Sequence, residues 1–397
     1  MKSSTIKYLN QIGPISVVLL IGYITNILNY GYLFGFALII MIVLKSNYIR
    51  SNLNIDVFIL FLFSLCYGLF YSFNPVSGNQ YIIIYIFTPP AFLLWGKFLA
   101  YKTVNTNQLF YTLICIGILF SLPALITVIL NVFKGGFVQS ERNIPMFWGG
   151  PKINATGMAA KLLFNMCIPS ILLTKLPRYN LIVKTILGII FALSLISVLR
   201  LGSRTQLVIV FLTFLLTVIY LFPRQSIKRN LILFSTLLLG VVLISQKISF
   251  DLDADWLSSF ADRMDKRGSD IASGGGRTER WSKSLKYLFE KPLGWDVKEF
   301  GYAHNLWLDA LRVSGIIPFI ILIIFSIRSI LKVRNIVSQA DGLLSLNILL
   351  ITFTTAFFLV FMVEPILDGS FYVFALFCLF YGTIIEYQEA RFNLVEN

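Results

Sequence analysis

The sequence predicts an all-α, polytopic membrane protein, and three observations carry that prediction. Of 397 residues, 57% are hydrophobic and only 13% charged, against about 25% charged in a soluble domain. Mean hydropathy is +0.79. Apolar runs of the length a bilayer demands, about 20 residues, recur along the whole chain, and Lys and Arg gather in the short connections between them.

About twelve such runs are expected, at 12–28, 30–45, 54–73, 80–100, 108–133, 156–174, 180–199, 204–222, 229–246, 305–331, 343–363 and 370–386. Together they make a single membrane domain over residues 1–397. Proline removes a helical N–H and clashes with the preceding turn. Pro89–Pro90 should therefore kink or break the fourth run, Pro123 should kink the fifth, and Pro318 the tenth. Lys2 and Lys7 precede the first run and no small-residue cleavage site follows convincingly, so a retained helix is expected there. Cys66, Cys115, Cys167 and Cys378 all lie in apolar runs, and His304 is the single histidine. No disulfide framework or thiolate metal site is suggested, and no metal or cofactor is expected.

The formal net charge of +14 belongs to topology and does not imply a nucleic-acid partner. One set of short connections carries Lys45 and Arg50, Lys97 and Lys102, Lys175, Arg178 and Lys184, Arg224, Lys228 and Arg229, and Arg328, Lys332 and Arg334. With Lys2 and Lys7 they fall on one face if the chain crosses twelve times. The short loops of the other face, near 27–30, 73–79 and 364–369, hold no Lys or Arg. This bias predicts both termini on the cytoplasmic side and two larger loops outside, at 134–155 and 247–303.

The first outer loop, "KGGFVQSERNIPMFWGGPKINATG", combines glycine pairs, prolines and Phe147–Trp148. It is expected to be ordered at headgroup depth, with Arg142 and Lys152 as secondary candidates for lipid phosphates or as plain solvated charges. The second outer loop, between expected helices nine and ten, is far longer than a connection requires, which points to function. Asp251, Asp253 and Asp255 open it with calcium-loop spacing, but the required glycine and terminal glutamate are missing, so an EF-hand is rejected. After Gly274–Gly276, Arg277 opens an expected helix that stops at Pro292. Helical spacing puts Arg277, Trp281, Leu285 and Leu288 on one face, with Arg280 and Lys283 to one side. An arginine on an apolar face needs a partner, and a diphosphate fits its planar fork.

Two further features point to this end of the bundle. "RLGSR" places Arg200 and Arg204 in a short outer turn, against the trend that keeps basic residues inside. His304 stands where the polar loop enters an apolar helix, and an imidazole with an ordinary pKa near neutrality suits a general base. Asn305 follows as a secondary candidate. Asp309 and Arg312 are spaced to pair on one helix face, Lys161 can snorkel, and Glu364 and Asp368 flank the last outer turn without an assigned role.

Three pieces, "GSRTQLV", "GGGRTERWSKSL" with "EKPLGW", and "AHNLWLDALRVSGIIP", resemble motifs of the O-antigen polymerase and O-antigen ligase family of multi-spanning glycosyltransferases. The resemblance covers residues 195–330. It implies a catalytic role for His304 and donor-diphosphate binding by Arg204 and Arg277, with Arg280 secondary. It also implies metal-independent, inverting transfer from a polyprenyl-diphosphate-linked oligosaccharide donor to a like acceptor, at the periplasmic face of a bacterial inner membrane. Membrane lipids and a chain-length regulator protein are the further partners it implies. The polymerase is favoured because "HNLWLDALRVSGIIPFIILI", and Arg263 taken with Gly274, resemble polymerase patterns. The ligase, which passes the glycan to lipid A core, remains an alternative. A transporter of lipid-linked sugars is a second one, although no internal repeat relates the two halves and the polar residues concentrate on one face.

Overall fold

The computed structural model describes residues 2–103, 105–138, 141–174, 181–247, 276–339 and 343–395, together with Asp255 and Ser258. It is 81% helical. The helices are α1 (Lys2–Ile12), α2 (Pro14–Thr25), α3 (Gly31–Val43), α4 (Ser46–Asn52), α5 (Ile55–Tyr71), α6 (Gln80–Tyr101) and α7 (Thr106–Gly135). A two-stranded antiparallel hairpin follows, β1 (Ile144–Met146) and β2 (Gly149–Ile153). Then come α8 (Ala155–Ala160), α9 (Ile168–Leu172), α10 (Leu181–Leu201), α11 (Arg204–Leu221) and α12 (Ile227–Lys247). The chain continues with α13 (Arg277–Glu290), α14 (Leu306–Ser314), α15 (Ile316–Ser338), α16 (Leu344–Val363), α17 (Ile366–Gly369) and α18 (Phe371–Val395).

Among the described residues, seven helices are long and apolar enough to cross a membrane: α6, α7, α10, α11, α15, α16 and α18. The pair α3 and α4, bent by 81°, would make an eighth, while α2 and α5 are apolar but shorter. The protein is therefore an all-α membrane protein with one small hairpin. Two expected spans are not single helices. Residues 156–174 divide into α8, a turn with a short 3-10 helix at Asn165–Cys167, and α9. The expected helix at 305–331 breaks into α14 and α15 at Gly315, whose φ of 74° lies in the left-handed region, so the interruption falls ahead of Pro318. The double proline does not break its run, since α6 continues as one helix through Pro89 and Pro90.

Helices α6 and α18 form the most intimate pair in the bundle. A Cβ at Gly96 would collide with the Leu379 carbonyl, and one at Gly382 with the Leu93 carbonyl. Two glycines facing each other's backbones let the helices touch directly, the close approach that packs helices where burial from water offers little drive. Around them, Phe357, Phe361, Phe374 and Phe377 stack between α16 and α18.

The two ends of the bundle are fastened by charge. At one end Lys97 bonds Glu389 at 2.8 Å and lies 3.6 Å from Glu386. There too, buried Asp56 takes Arg328 at 2.7 Å and Lys332 at 3.1 Å. At the other end Arg312 of α14 reaches Asp368 of α17 at 2.7 Å. Its expected partner Asp309 is farther off, at 3.9 Å. Lys161, expected to snorkel, is half-buried in the turn after α8.

Gly96→Val should destabilise the fold by more than the about 1–3 kcal/mol typical of overpacking, because the obstacle is backbone. Gly188→Ala, whose added Cβ meets nothing within 4 Å, should leave the apparent Tm within a degree or two. Thermal unfolding of both variants in detergent checks this, and equal Tm values would contradict the packing described.

Candidate functional site

The site lies at the end of the bundle where α10 turns into α11 and where α13 lies across α14. Its construction begins with a clip between two glycine turns. The Trp295 N–H donates to the Arg312 carbonyl at 2.8 Å, and the Ile316 N–H donates to the Pro292 carbonyl at 2.9 Å. Gly294 (φ 101°) and Gly315 (φ 74°) permit this, because a Cβ on Gly294 would strike the Arg312 carbonyl and one on Gly315 the Pro292 carbonyl. "PLGW" and "VSGII", about 20 positions apart in the chain, are therefore two halves of one joint.

Above the joint sits a small separate core of Trp295, Ala303, Leu308 and Leu311, against which Trp281, Tyr287, Leu288 and Phe300 pack. The buried face of α13 thus runs through Trp281, Ser284, Tyr287 and Leu288. Leu285, expected on that face, is 52% exposed. The helix phase differs from the expected one by a residue because Tyr287, an aromatic with a polar tip, takes the inner position.

Helix α13 then grips the segment before His304. The Trp281 Nε1–H donates to the Ala303 carbonyl at 2.9 Å, and an Arg280 Nη donates to the Tyr302 carbonyl at 3.2 Å. From the other side the carboxyl group of Asp309 accepts from the N–H of Ala303 at 2.8 Å and of Asn305 at 3.2 Å. His304 is held between these two anchors with φ 54°. A left-handed backbone costs a non-glycine residue on the order of 1–3 kcal/mol and persists only where neighbouring contacts over-determine it, as they do here. The Nδ1 of His304 is buried and has no hydrogen-bond partner among the described residues.

The charges of Arg277 and Arg280 act on this ring, and that of Arg204 acts on Arg277. Arg277, at the first position of α13, lies 3.8 Å from Glu364 at the end of α16. Burial pulls the Arg277 guanidinium below its usual range; Glu364 opposes this, and the charges of Arg204 and Arg280 lower it further. Arg204 is the exposed first residue of α11, after Gly202 (φ 60°) and Ser203. His304 is pushed down to about 4 by burial and then by the charges of Arg277 and Arg280. At neutral pH its imidazole is therefore uncharged and offers a lone pair.

The other expected site residues are placed apart or spent elsewhere. The Arg142 guanidinium donates to the Leu201 carbonyl, closing the end of α10, and Arg200 donates to Asn131 and to the Glu141 carbonyl. Lys152 pairs with Glu141 at the surface. Asn305 caps α14, its side chain accepting from Trp307 and Leu308 N–H at 3.2 Å each. Arg142, Lys152 and Asn305 thus hold the ends of elements together. Arg280, expected to the side of the functional face, sits at the ring instead, because its long side chain reaches back over the 301–305 segment. Glu364 was named in the sequence only as flanking a turn. Its signal was an acidic group at the end of an otherwise uncharged apolar helix, which needs a partner. Asp251, Asp253, Arg263 and Gly274 lie outside the described residues. Among the described residues no group of three or more His, Cys, Asp or Glu side chains is placed to hold a metal ion.

No family model and no curated protein matches this chain.

The single histidine makes the electrostatics directly measurable. The imidazole resonance of His304 should titrate with a midpoint near 4, so that the ring stays neutral from about pH 5 upward. Arg280→Gln removes one depressing charge and should raise the midpoint toward the ordinary value of about 6.5. A wild-type midpoint already near 6.5 would place the ring in water, away from the arginines.

Proposed function

We propose that this chain is a surface-polysaccharide polymerase, a glycosyltransferase that joins polyprenyl-diphosphate-linked oligosaccharide units at the outer face of a bacterial inner membrane. The observation that carries this is a neutral, partner-free His304 under the charges of Arg277 and Arg280, with Arg204 acting in turn on Arg277, at one end of an apolar bundle. The architecture the proposal uses is the one expected from sequence, about twelve crossings with both termini cytoplasmic and the 247–303 loop outside.

The chemistry follows from the parts. An acceptor sugar hydroxyl bonds to Nδ1 of His304, the buried nitrogen that otherwise lacks a partner. As the hydroxyl oxygen attacks the anomeric carbon, its proton passes to the ring. The bond from that carbon to the phosphate oxygen breaks, and the polyprenyl diphosphate departs with the electron pair. Attack opposite the leaving group inverts the anomeric centre. The charge on the departing diphosphate falls among guanidiniums already in place, so little reorganisation is needed when the bond breaks. Arg277 and Arg204 are suited to bidentate grip of phosphate oxygens. Glu364 keeps Arg277 directed while the site is empty, and Arg280 both anchors Tyr302 and adds positive potential. A protonated imidazole is unfavourable among these cations, so the proton is passed on readily once the diphosphate has left.

His304→Ala should abolish glycan transfer while leaving the protein inserted and abundant. Arg204→Lys and Arg277→Lys should each cut activity by an order of magnitude or more, because an ammonium lacks the planar fork. Transfer assayed with purified protein and lipid-linked donor checks all three, and near-normal activity of His304→Ala would remove the general base from the scheme.

The acceptor is tested in the cell. A strain lacking the protein should make lipid A core bearing at most one oligosaccharide unit, with long chains restored by wild-type protein but not by His304→Ala. Bare core together with accumulated lipid-linked polymer would identify a ligase instead. Lipid-linked sugar crossing the membrane with no new glycosidic bond would identify a transporter.

A further inference from the structure

A second feature lies at the opposite end of the bundle from His304. Between α11, α15 and α16 runs an open groove of about 380 Å³. Its walls are apolar, with Ile330, Val333 and Val337 of α15 facing Ile351 of α16, and Arg224 and Arg334 stand among its lining residues. Helix α11 starts at the His304 end with Arg204, so Arg224, just beyond its last residue, lies at the far end; Arg334 is close to the C-terminus of α15. Thr354 lies ten residues into the apolar helix α16. At 1.5 Å per residue the groove therefore follows about 15 Å of that helix, about half of a core about 30 Å thick.

The mouth and the inner part of the groove differ chemically. The Arg224 guanidinium lies 4.0 Å above the Tyr220 ring and donates to the Tyr220 carbonyl at 3.0 Å, so it is pre-positioned at the edge. Tyr220 is itself fixed, donating to the Val337 carbonyl and accepting from Asn347, both at 3.0 Å. Arg334 is exposed and makes no ion pair or hydrogen bond among the described residues. Deeper in, Thr354 Oγ1 is buried without a hydrogen-bond partner. A buried hydroxyl with no partner in an otherwise apolar slot calls for an acceptor from outside the chain.

We propose that this groove binds one molecule of an anionic glycerophospholipid from the adjacent leaflet. Its phosphate lies between Arg224 and Arg334, an ester carbonyl accepts from Thr354, and an acyl chain lies along Val333 and Ile351. Charge complementarity selects the occupant: two cations at the mouth of an apolar slot match an anionic headgroup on a hydrocarbon chain. A soluble phosphate would leave the slot empty, and an uncharged lipid would leave the guanidiniums unmatched. The site is separate from the one around His304 and does not depend on the activity proposed there.

The test uses full-length protein purified in detergent, offered phosphatidylglycerol or phosphatidylcholine of identical chains, with retained lipid counted by native mass spectrometry. Phosphatidylglycerol should be retained several-fold over phosphatidylcholine. Arg224→Gln with Arg334→Gln should abolish that preference. Thr355→Trp, which obstructs the groove with both arginines intact, should reduce retention of either lipid. Lys228→Gln with Arg229→Gln, two exposed cations beyond the same end of α11, should change nothing. Both groove arginines are exposed, and if the double variant does not elute as wild type, Arg334→Gln alone serves, since that side chain makes no contact that holds the fold. Equal retention of the two lipids, undiminished retention in the groove variants, equal loss in Lys228→Gln/Arg229→Gln, or full competition by glycerol phosphate without chains would each overturn the proposal.

Discussion

The structure depends most on holding several positive charges together at the end of an apolar bundle. The charges of Arg204 and Arg280 lower the Arg277 guanidinium, and those of Arg277 and Arg280 lower the imidazole; like charges held near one another repel. The fold holds them mainly through backbone contacts. The clip between Pro292–Trp295 and Arg312–Ile316 fixes α13 over α14. Trp281 and Arg280 then spend their N–H groups on the carbonyls just ahead of His304. Glu364 is the acid that faces the cluster.

The arginines divide by what their forks touch. Arg142, Arg200 and Arg312 each end on a carbonyl, an amide or a carboxylate within the fold, closing a helix end or joining two elements. Arg204 stands exposed at a helix start, and Arg277 has its carboxylate at 3.8 Å, longer than a close charge-assisted hydrogen bond. That spacing leaves the guanidinium directed but able to take a better ligand. At the far end Asp56 and Lys97 have close partners on neighbouring helices, as Arg312 has in Asp368 at the His304 end.

Several features are legible in the chain itself. The helix opening at Arg277 and stopping before Pro292 is α13 to within two residues. The described residues of the 134–155 segment include a hairpin, β1 and β2, that the sequence does not announce, because three- and five-residue strands carry too little alternation to read. The break at Gly315 was assigned to Pro318 instead. A proline near the first turn of a helix is tolerated, whereas a glycine held at positive φ by a neighbouring carbonyl ends one helix and starts the next.

The sequence by itself determined the class of protein and the parts of the candidate site: an apolar, helical membrane chain, one histidine just ahead of a helix, and arginines that open helices. Those follow from composition, periodicity and local spacing, which are properties of neighbours in the chain. Tertiary structure alone decided which arginines meet the histidine. Arg280 joined it and Arg142 did not, and Glu364, 87 positions from Arg277 in the chain, became its carboxylate neighbour. Helical spacing tells which residues share a face but not what lies opposite that face. That depends on where two glycine turns let backbones touch, and only the folded chain brings those turns together.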